Sequence, residues 1–293
     1  MTRHQTGKGA KFMPYTSENL LVRPQSLEDS DNITEVSPAS AGWEHLSMSV
    51  RRLKSGDRWA GSTTDEELVH VVLQGRCSIF TNSFHYENVG QRKSVFDGKP
   101  FALYLSRNSS FEILALTDEL DIATCRVTAT EDHPPRLITP DQCGEELRGG
   151  GNASRQIVSI LPPGSDCQRI VAVEVYAPGG NWSSYPPHKH DVHRVDVDGT
   201  LLEADLEETY FYRFDKPGGY AYQRVYTDDG SIDGLVRAQE NDVVLVPAGY
   251  HPVVTAHGYT SYYLNFLAGS AQSLANSDDP AFAWIKQDWP PLD

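Results

Sequence analysis

Short apolar runs recur along this chain at strand spacing, and helix-period runs are scarce. In the first half they fall at 43–53 (WEHLSMSVRRL), 68–73 (LVHVVL), 76–81 (RCSIFT), 101–105 (FALYL) and 111–116 (FEILAL). In the second half they fall at 169–177 (RIVAVEVYA), 208–214 (ETYFYRF), 220–227 (YAYQRVYT), 243–246 (VVLV) and 260–268 (TSYYLNFLA). Gly, Asn, Asp and Ser separate them, the residues that turns use. No 15-residue stretch carries a convincing 3.6-residue period before the tail, where AFAWIKQDW predicts a short terminal turn of helix. The pattern predicts an all-β protein. The 14 Tyr, 23 Gly and 18 Pro agree with it.

The halves repeat an order of features. VVLQGRCSIF and FYRFDKPGGYAYQRVY each run strand, Gly turn, strand. KPFALYLSRNSSFEILAL and NDVVLVPAGYHPVVTA each follow with an extended apolar run beside a turn. Two β-barrels of similar topology, joined through about 135–160, are expected. The segment 130–155, with its Pro pair, triple Gly and mixed charge, reads as the crossing. The units are then 1–150, opened by a weakly patterned lead-in over 1–20, and 151–293. The length of 293 residues suits two domains.

Charge narrows the partners. With 25 Lys and Arg against 40 Asp and Glu, the net charge is −15. That disfavours a grip on nucleic-acid phosphates and docking on an anionic membrane. No run reaches the ~18 apolar residues of a span. The polar, basic start MTRHQTGKGAKFMPY lacks the apolar core of a secretory signal. Cys77, Cys125, Cys143 and Cys167 form no CxxC pair, so four reduced thiols in a cytoplasmic protein are expected.

Candidate chemistry concentrates in PGGNWSSYPPHKHDVH, residues 178–193. His188 and His190 are two apart, so on a strand both imidazoles reach one face. Glu208 opens ETYFYRF, and His251 follows the Pro-x-Gly turn of DVVLVPAGYHP. Three imidazoles and a carboxylate make a divalent-metal shell with positions left for water or substrate. HxH alone is common, Glu208 alone reads as a strand-end carboxylate, and His251 alone as a turn residue. The ordered set HxH…E…PxGxH is much more specific. His193 and His257 are read as turn or surface histidines. His70, His85 and His133 form no such pattern, so the first half is expected to be metal-free.

At these residues the chain resembles the cupin superfamily. PPHKHD, LEETYFYRF, YAYQRVYTDDGSIDG, NDVVLVPAGYHPV and YYLNFLAG look like the 5-deoxy-glucuronate isomerase family of bacterial inositol catabolism, over about 185–270. The resemblance implies a bicupin: two cupin (jelly-roll) barrels in one chain, with a degenerate N-terminal barrel in 1–150 and a metal-binding barrel in 151–293. It places metal ligands at His188, His190, Glu208 and His251. Zinc is the first expectation, with manganese or iron as alternatives. It implies an aldose–ketose isomerase that converts 5-deoxy-D-glucuronate to 5-dehydro-2-deoxy-D-gluconate, the metal stabilising an enediolate. A small sugar-acid substrate and a homo-oligomer are the implied partners.

The alternative is the 4-deoxy-5-ketouronate isomerase of pectin breakdown, where the Glu follows HxH after only a few residues. Here the gap 191–207 is long and acidic, which favours the inositol-pathway family and leaves Glu207 open beside Glu208. Asn241 stands where many cupins have Gly. An iron dioxygenase and a sugar-acid-binding sensory cupin are the competing classes. Strand parity puts Tyr210 and Tyr212 on the face of Glu208, as donors or acids toward substrate. Parity also groups Tyr220, Tyr222, Arg224 and Tyr226, opposite Gln223. Arg224 is expected to clamp the substrate carboxylate, ahead of Lys189.

Overall fold

The computed structural model describes residues 14–28, 30–287 and 289. The basic start read over residues 1–13 lies outside them. Strands dominate. The described helical elements are one four-residue helix, Pro38–Ala41, and short 3-10 turns such as Ala283–Gln287, which takes the place of the expected terminal helical turn.

Each apolar run of the sequence lies on a strand. Those of the first half build a six-stranded sheet and a four-stranded sheet. In the larger, Glu66–Gln74 lies between Ala102–Leu105 and Leu120–Thr128. Those of the second half repeat the plan. Leu201–Phe214 lies between Val243–Val246 and Thr260–Gly269 in the larger sheet, and a four-stranded sheet holds Ala221–Tyr226. The segment read as the crossing carries three further strands. Arg136–Ile138 edges the first-half sheet, while Gly144–Arg148 pairs with Arg155–Leu161 in the second-half sheet. From the lead-in, Leu21 and Val22 pair with Val244 and Val243.

The central strands are buried on both faces, so they read as nearly continuous apolar runs. Leu68 and Val72 join the interior of the first half with Cys77, Leu103, Phe111 and Ile113. Val69 and Val71 face the other way, into a core shared with Phe211, Leu264 and Phe266 of the second half. A buried ion pair, Arg92 to Glu174 at 2.6 Å, also crosses between the halves. All four cysteines are buried and free.

Two carboxylates fix the halves reciprocally. Glu67 accepts the backbone N–H groups of Gln168, Arg169 and Ile170 at 2.7–3.0 Å. Glu207 accepts those of Glu44, His45 and Leu46 at 2.5–3.0 Å. The strand rows match: Glu67 lies opposite Val127 and Val127 opposite Leu46, while Glu207 lies opposite Ala268, one residue beyond the Leu267–Val171 pair. The next residue on each strand faces its own barrel. In the first half it is Leu68, which has no ligating atom; in the second it is Glu208.

Candidate metal centre

Strand Leu201–Phe214 delivers Glu208 into the second barrel because its neighbour Glu207 is committed to the amides on the other face. This settles the geometry of the Glu207–Glu208 pair. Glu208 Oε2 lies 3.0 Å from His190 Nε2 and 3.3 Å from His251 Nε2. One donor atom from each of these three residues lies within 4.8 Å of the others, and all three residues are buried. His188 stands beside them, its ring centroid 4.9 Å from that of His251, but its nitrogens fall outside that close set.

The backbone prepares the imidazoles. His190 Nδ1 lies 3.0 Å from the Leu206 carbonyl, His251 Nδ1 2.9 Å from that of Gly249, and His188 Nδ1 3.4 Å from that of Pro186. A carbonyl only accepts, so Nδ1 carries the proton; His188 and His251 keep an Nε2 lone pair, while His190 Nε2 is bonded to the Glu208 carboxylate. His251 Nε2 is buried without a hydrogen-bond partner among the described residues. Burial pushes His251 down to about 3, against the pull of Glu208. Burial, helped by the charges of His190 and Arg155, does the same to His188. Burial also opposes a proton on His190, but the hydrogen bond and charge of Glu208 outweigh it and raise that group. Two neutral imidazoles and a His190–Glu208 pair that now shares a proton fit a divalent cation, which would take the place of that proton between them.

The strand His188–Lys189 pairs with Ser277–Asp278, so the C-terminal segment holds the HxH motif in place. Asn241 adopts φ +67°, a left-handed conformation that asparagine tolerates.

His190 and Glu208, with His188, line a solvent-open cavity of about 90 Å³, and His251 sits behind them. Tyr210 lines it too, and its hydroxyl lies 2.9 Å from Ser184 Oγ. Burial first, then the Glu208 charge, push the Tyr210 phenol well up, so it stays protonated. Tyr212 shares that face but lies deeper, donating to Gln223 Oε1 at 2.8 Å.

Residues 20–285 match the KduI/IolB family. The chain belongs to that family. It is 41% identical over 268 residues to the 5-deoxy-glucuronate isomerase of Geobacillus thermodenitrificans, covering 91% of this chain and 96% of the relative. It is 39% identical over 271 residues to the 5-deoxy-glucuronate isomerase of Bacillus subtilis strain 168, covering 91% and 98%. An IolB-like protein from Salmonella typhimurium LT2 superposes with a TM-score of 0.85 at 38% identity, over 90% of this chain and 98% of that one. Lactobacillus farciminis oxalate decarboxylase superposes with a TM-score of 0.61 at 12% identity, over 94% and 90%, a likeness of fold. The KduI/IolB chain is an all-β bicupin.

Arg224 is a correction. On strand Ala221–Tyr226 the inward row is Ala221, Gln223 and Val225, and Arg224 points outward. Its guanidinium pairs with Asp233 at 2.8 and 3.0 Å, on the protein surface and away from the cavity. The apolar members of the row, Ala221 and Val225, mark the inner face; the aromatic row, Tyr220 to Tyr226, obscured it. Lys189 also turns away, to Asp228 at 2.6 Å and Asp191 at 3.1 Å. His193 lies 2.8 Å from Ser270 Oγ on the exposed face of its strand, and His257 sits exposed before the Gly258 turn.

The acidic insertion is a hairpin. Asp191–Val195 pairs with the start of Leu201–Phe214, the strand that goes on to present Glu208. Several of its carboxylates serve the hairpin itself. Glu203 accepts the Asp191 N–H at 3.1 Å, and Asp196 accepts the N–H groups of Asp198 and Thr200. The one arginine at the inner end of the cavity, Arg155, was absorbed by the reading of 130–155 as a crossing. The alternation of Arg155, Ile157 and Ser159 was the signal that could have found it.

Proposed function

We propose that this protein is a metal-dependent aldose–ketose isomerase that converts 5-deoxy-D-glucuronate to 5-dehydro-2-deoxy-D-gluconate in inositol catabolism. The observation that carries the reading is the convergence of His190, Glu208 and His251 beside a solvent-open cavity that His190 and Glu208 line, in a chain about 40% identical to isomerases of that name. His188, whose ring centroid lies 4.9 Å from that of His251, would be the fourth ligand. Residues 1–150 hold the degenerate barrel and 151–293 the one that holds the metal, with Leu21, Val22 and Gly144–Arg148 pairing into the second barrel's sheet.

The reaction moves hydrogen between C1 and C2 and needs no redox cofactor. A divalent ion, zinc in this reading, supplies Lewis acidity toward the substrate's carbonyl and neighbouring hydroxyl when bound. The protein does the rest. The Nδ1-to-carbonyl contacts hold the imidazoles in one tautomer and orientation. The protonated Tyr210 hydroxyl, steadied by Ser184, faces the cavity and donates to a substrate oxygen as charge develops there. Tyr212 positions Tyr210 by stacking on it, ring centroids 6.3 Å apart, and by its own bond to Gln223.

The test is turnover of 5-deoxy-glucuronate by metal-loaded protein under anaerobic conditions, beside the pectin-derived ketouronate. Preferred isomerisation of the first supports the reading. Preference for the second selects the alternative, a requirement for oxygen a dioxygenase, and binding without turnover a sensory protein.

A further inference from the structure

The geometry points to Arg155 as the group that binds the carboxylate of the sugar acid, the task expected of Arg224. This rests on the isomerase reading for the identity of the substrate, but on the cavity itself for the chemistry.

Arg155 opens strand Arg155–Leu161. Ile157 and Ser159 share its face by strand parity, and all three line the cavity that holds His190, Glu208 and Tyr210. The residue is only 7% exposed. Every other arginine so deeply buried among the described residues has a carboxylate: Arg92 pairs with Glu174, and Arg213 with Asp121 and Glu240. Arg155 has none among them. Its one described bond is from Nη1 to the Ala153 carbonyl at 3.2 Å. None of its nitrogens is both buried and unpartnered among the described residues, so the remaining ones face the solvent-open cavity, where an anion can replace water.

The surroundings are built around that group. Gly149 has φ +99°, and a Cβ there would sit 2.8 Å from Arg155 Nη1 and 2.1 Å from the Ala153 carbonyl oxygen. The glycine therefore leaves room for both partners of the bond that aims the guanidinium. Arg148, the other arginine of the lining, is half-exposed and bound to Glu146, which leaves it at the mouth. A planar guanidinium facing a carboxylate can make two parallel hydrogen bonds, and lysine cannot reproduce that fork. A sugar acid then lies with its carbonyl end toward Glu208 and its carboxylate toward Arg155.

The experiment titrates metal-loaded protein with D-glucuronate and, in parallel, with D-glucose, by calorimetry, for wild type, Arg155→Gln and Arg155→Lys, with metal content measured in each. Wild type binds glucuronate more tightly than glucose. Arg155→Gln weakens glucuronate binding about 10- to 100-fold, the span for a lost charged hydrogen bond, leaves glucose within about 2-fold and keeps its metal. Arg155→Lys falls between the two. The proposal is overturned if wild type does not discriminate the two sugars, if Arg155→Gln binds glucuronate normally, or if both sugars weaken equally. Turnover separates this from the isomerase reading. Arginine-dependent glucuronate binding without 5-deoxy-glucuronate turnover refutes the isomerase and keeps the anion site. Turnover with an unchanged KM in Arg155→Gln does the reverse.

Discussion

Glu67 and Glu207 make the same contact from opposite halves of the chain, each carboxylate closing on three successive backbone N–H groups of the other half. One strand plan thus serves twice, as a tether in both barrels and, one residue later, to place Glu208 in the candidate metal centre of the second alone. Tyr104 adds a fourth donor to Glu67 at 2.8 Å.

The first prediction concerns this tether. Glu207→Ala leaves the buried Leu46 amide and the part-buried amides beside it without an acceptor, at about 1–3 kcal/mol. Chemical denaturation of the variant should show that loss, and the Glu67→Ala variant a loss of similar size. A Glu207→Ala protein as stable as wild type would mean that water satisfies those amides and that the tether is incidental.

Neighbouring residues of strand Leu201–Phe214 should separate cleanly in metal binding. Glu208→Gln and His251→Ala are expected to lose at least ~100-fold in metal affinity, the upper end of what even outer-shell substitutions cost. Glu207→Gln should keep its metal. Elemental analysis after dialysis against a weak chelator reads the difference directly, and full metal retention in Glu208→Gln would remove that residue from the ligand set.

The two buried tyrosines should divide catalysis from structure. Tyr210→Phe is expected to lower kcat by ~100-fold, the lower range for a lost acid, with metal retained. Tyr212→Phe should stay within about 3-fold in kcat while losing about 1 kcal/mol of stability with its bond to Gln223. Equal kinetic losses in both variants would argue that the pair acts only by packing.

His70 gives a pH dependence away from the metal. Buried beside Trp59 and Phe111, it is pushed down to about 3, first by burial and then by the Arg126 charge. In the unfolded chain it titrates near 6.5. Between those values the unfolded state holds the extra proton, so stability falls as pH drops below about 6.5, by up to ~1.4 kcal/mol per unit. Urea denaturation at pH 7.5 and 5.5 should show wild type losing about 1 kcal/mol more than His70→Gln. Parallel losses in the two proteins would show that His70 is not buried in its neutral form.

The strand plan was legible because burial on alternate or both faces writes itself into the apolar runs, as in LVHVVL and TSYYLNFLA. The ligand order HxH…E…PxGxH was legible because each member sits on or beside such a run. Strand Arg155–Leu161 was hidden by the Pro and Gly around it, which mark turns at both ends rather than a linker. Arg224 was misplaced because a row of tyrosines beside an arginine looks like a sugar site, whereas small apolar Ala221 and Val225 decide which face is inside. The acidic gap 191–207 could be seen but not interpreted. Only the pairing of Arg194 with Glu203 and Val195 with Leu201 shows that it is a hairpin extending the strand of Glu208.

The most direct test of the account is a single comparison of metal-reconstituted wild type and Glu208→Gln with 5-deoxy-glucuronate, following product by proton NMR and metal by elemental analysis. The account predicts conversion to the ketose by wild type in proportion to bound metal, and loss of both metal and turnover in the variant. Conversion at full rate by metal-stripped protein, or by Glu208→Gln, would contradict it.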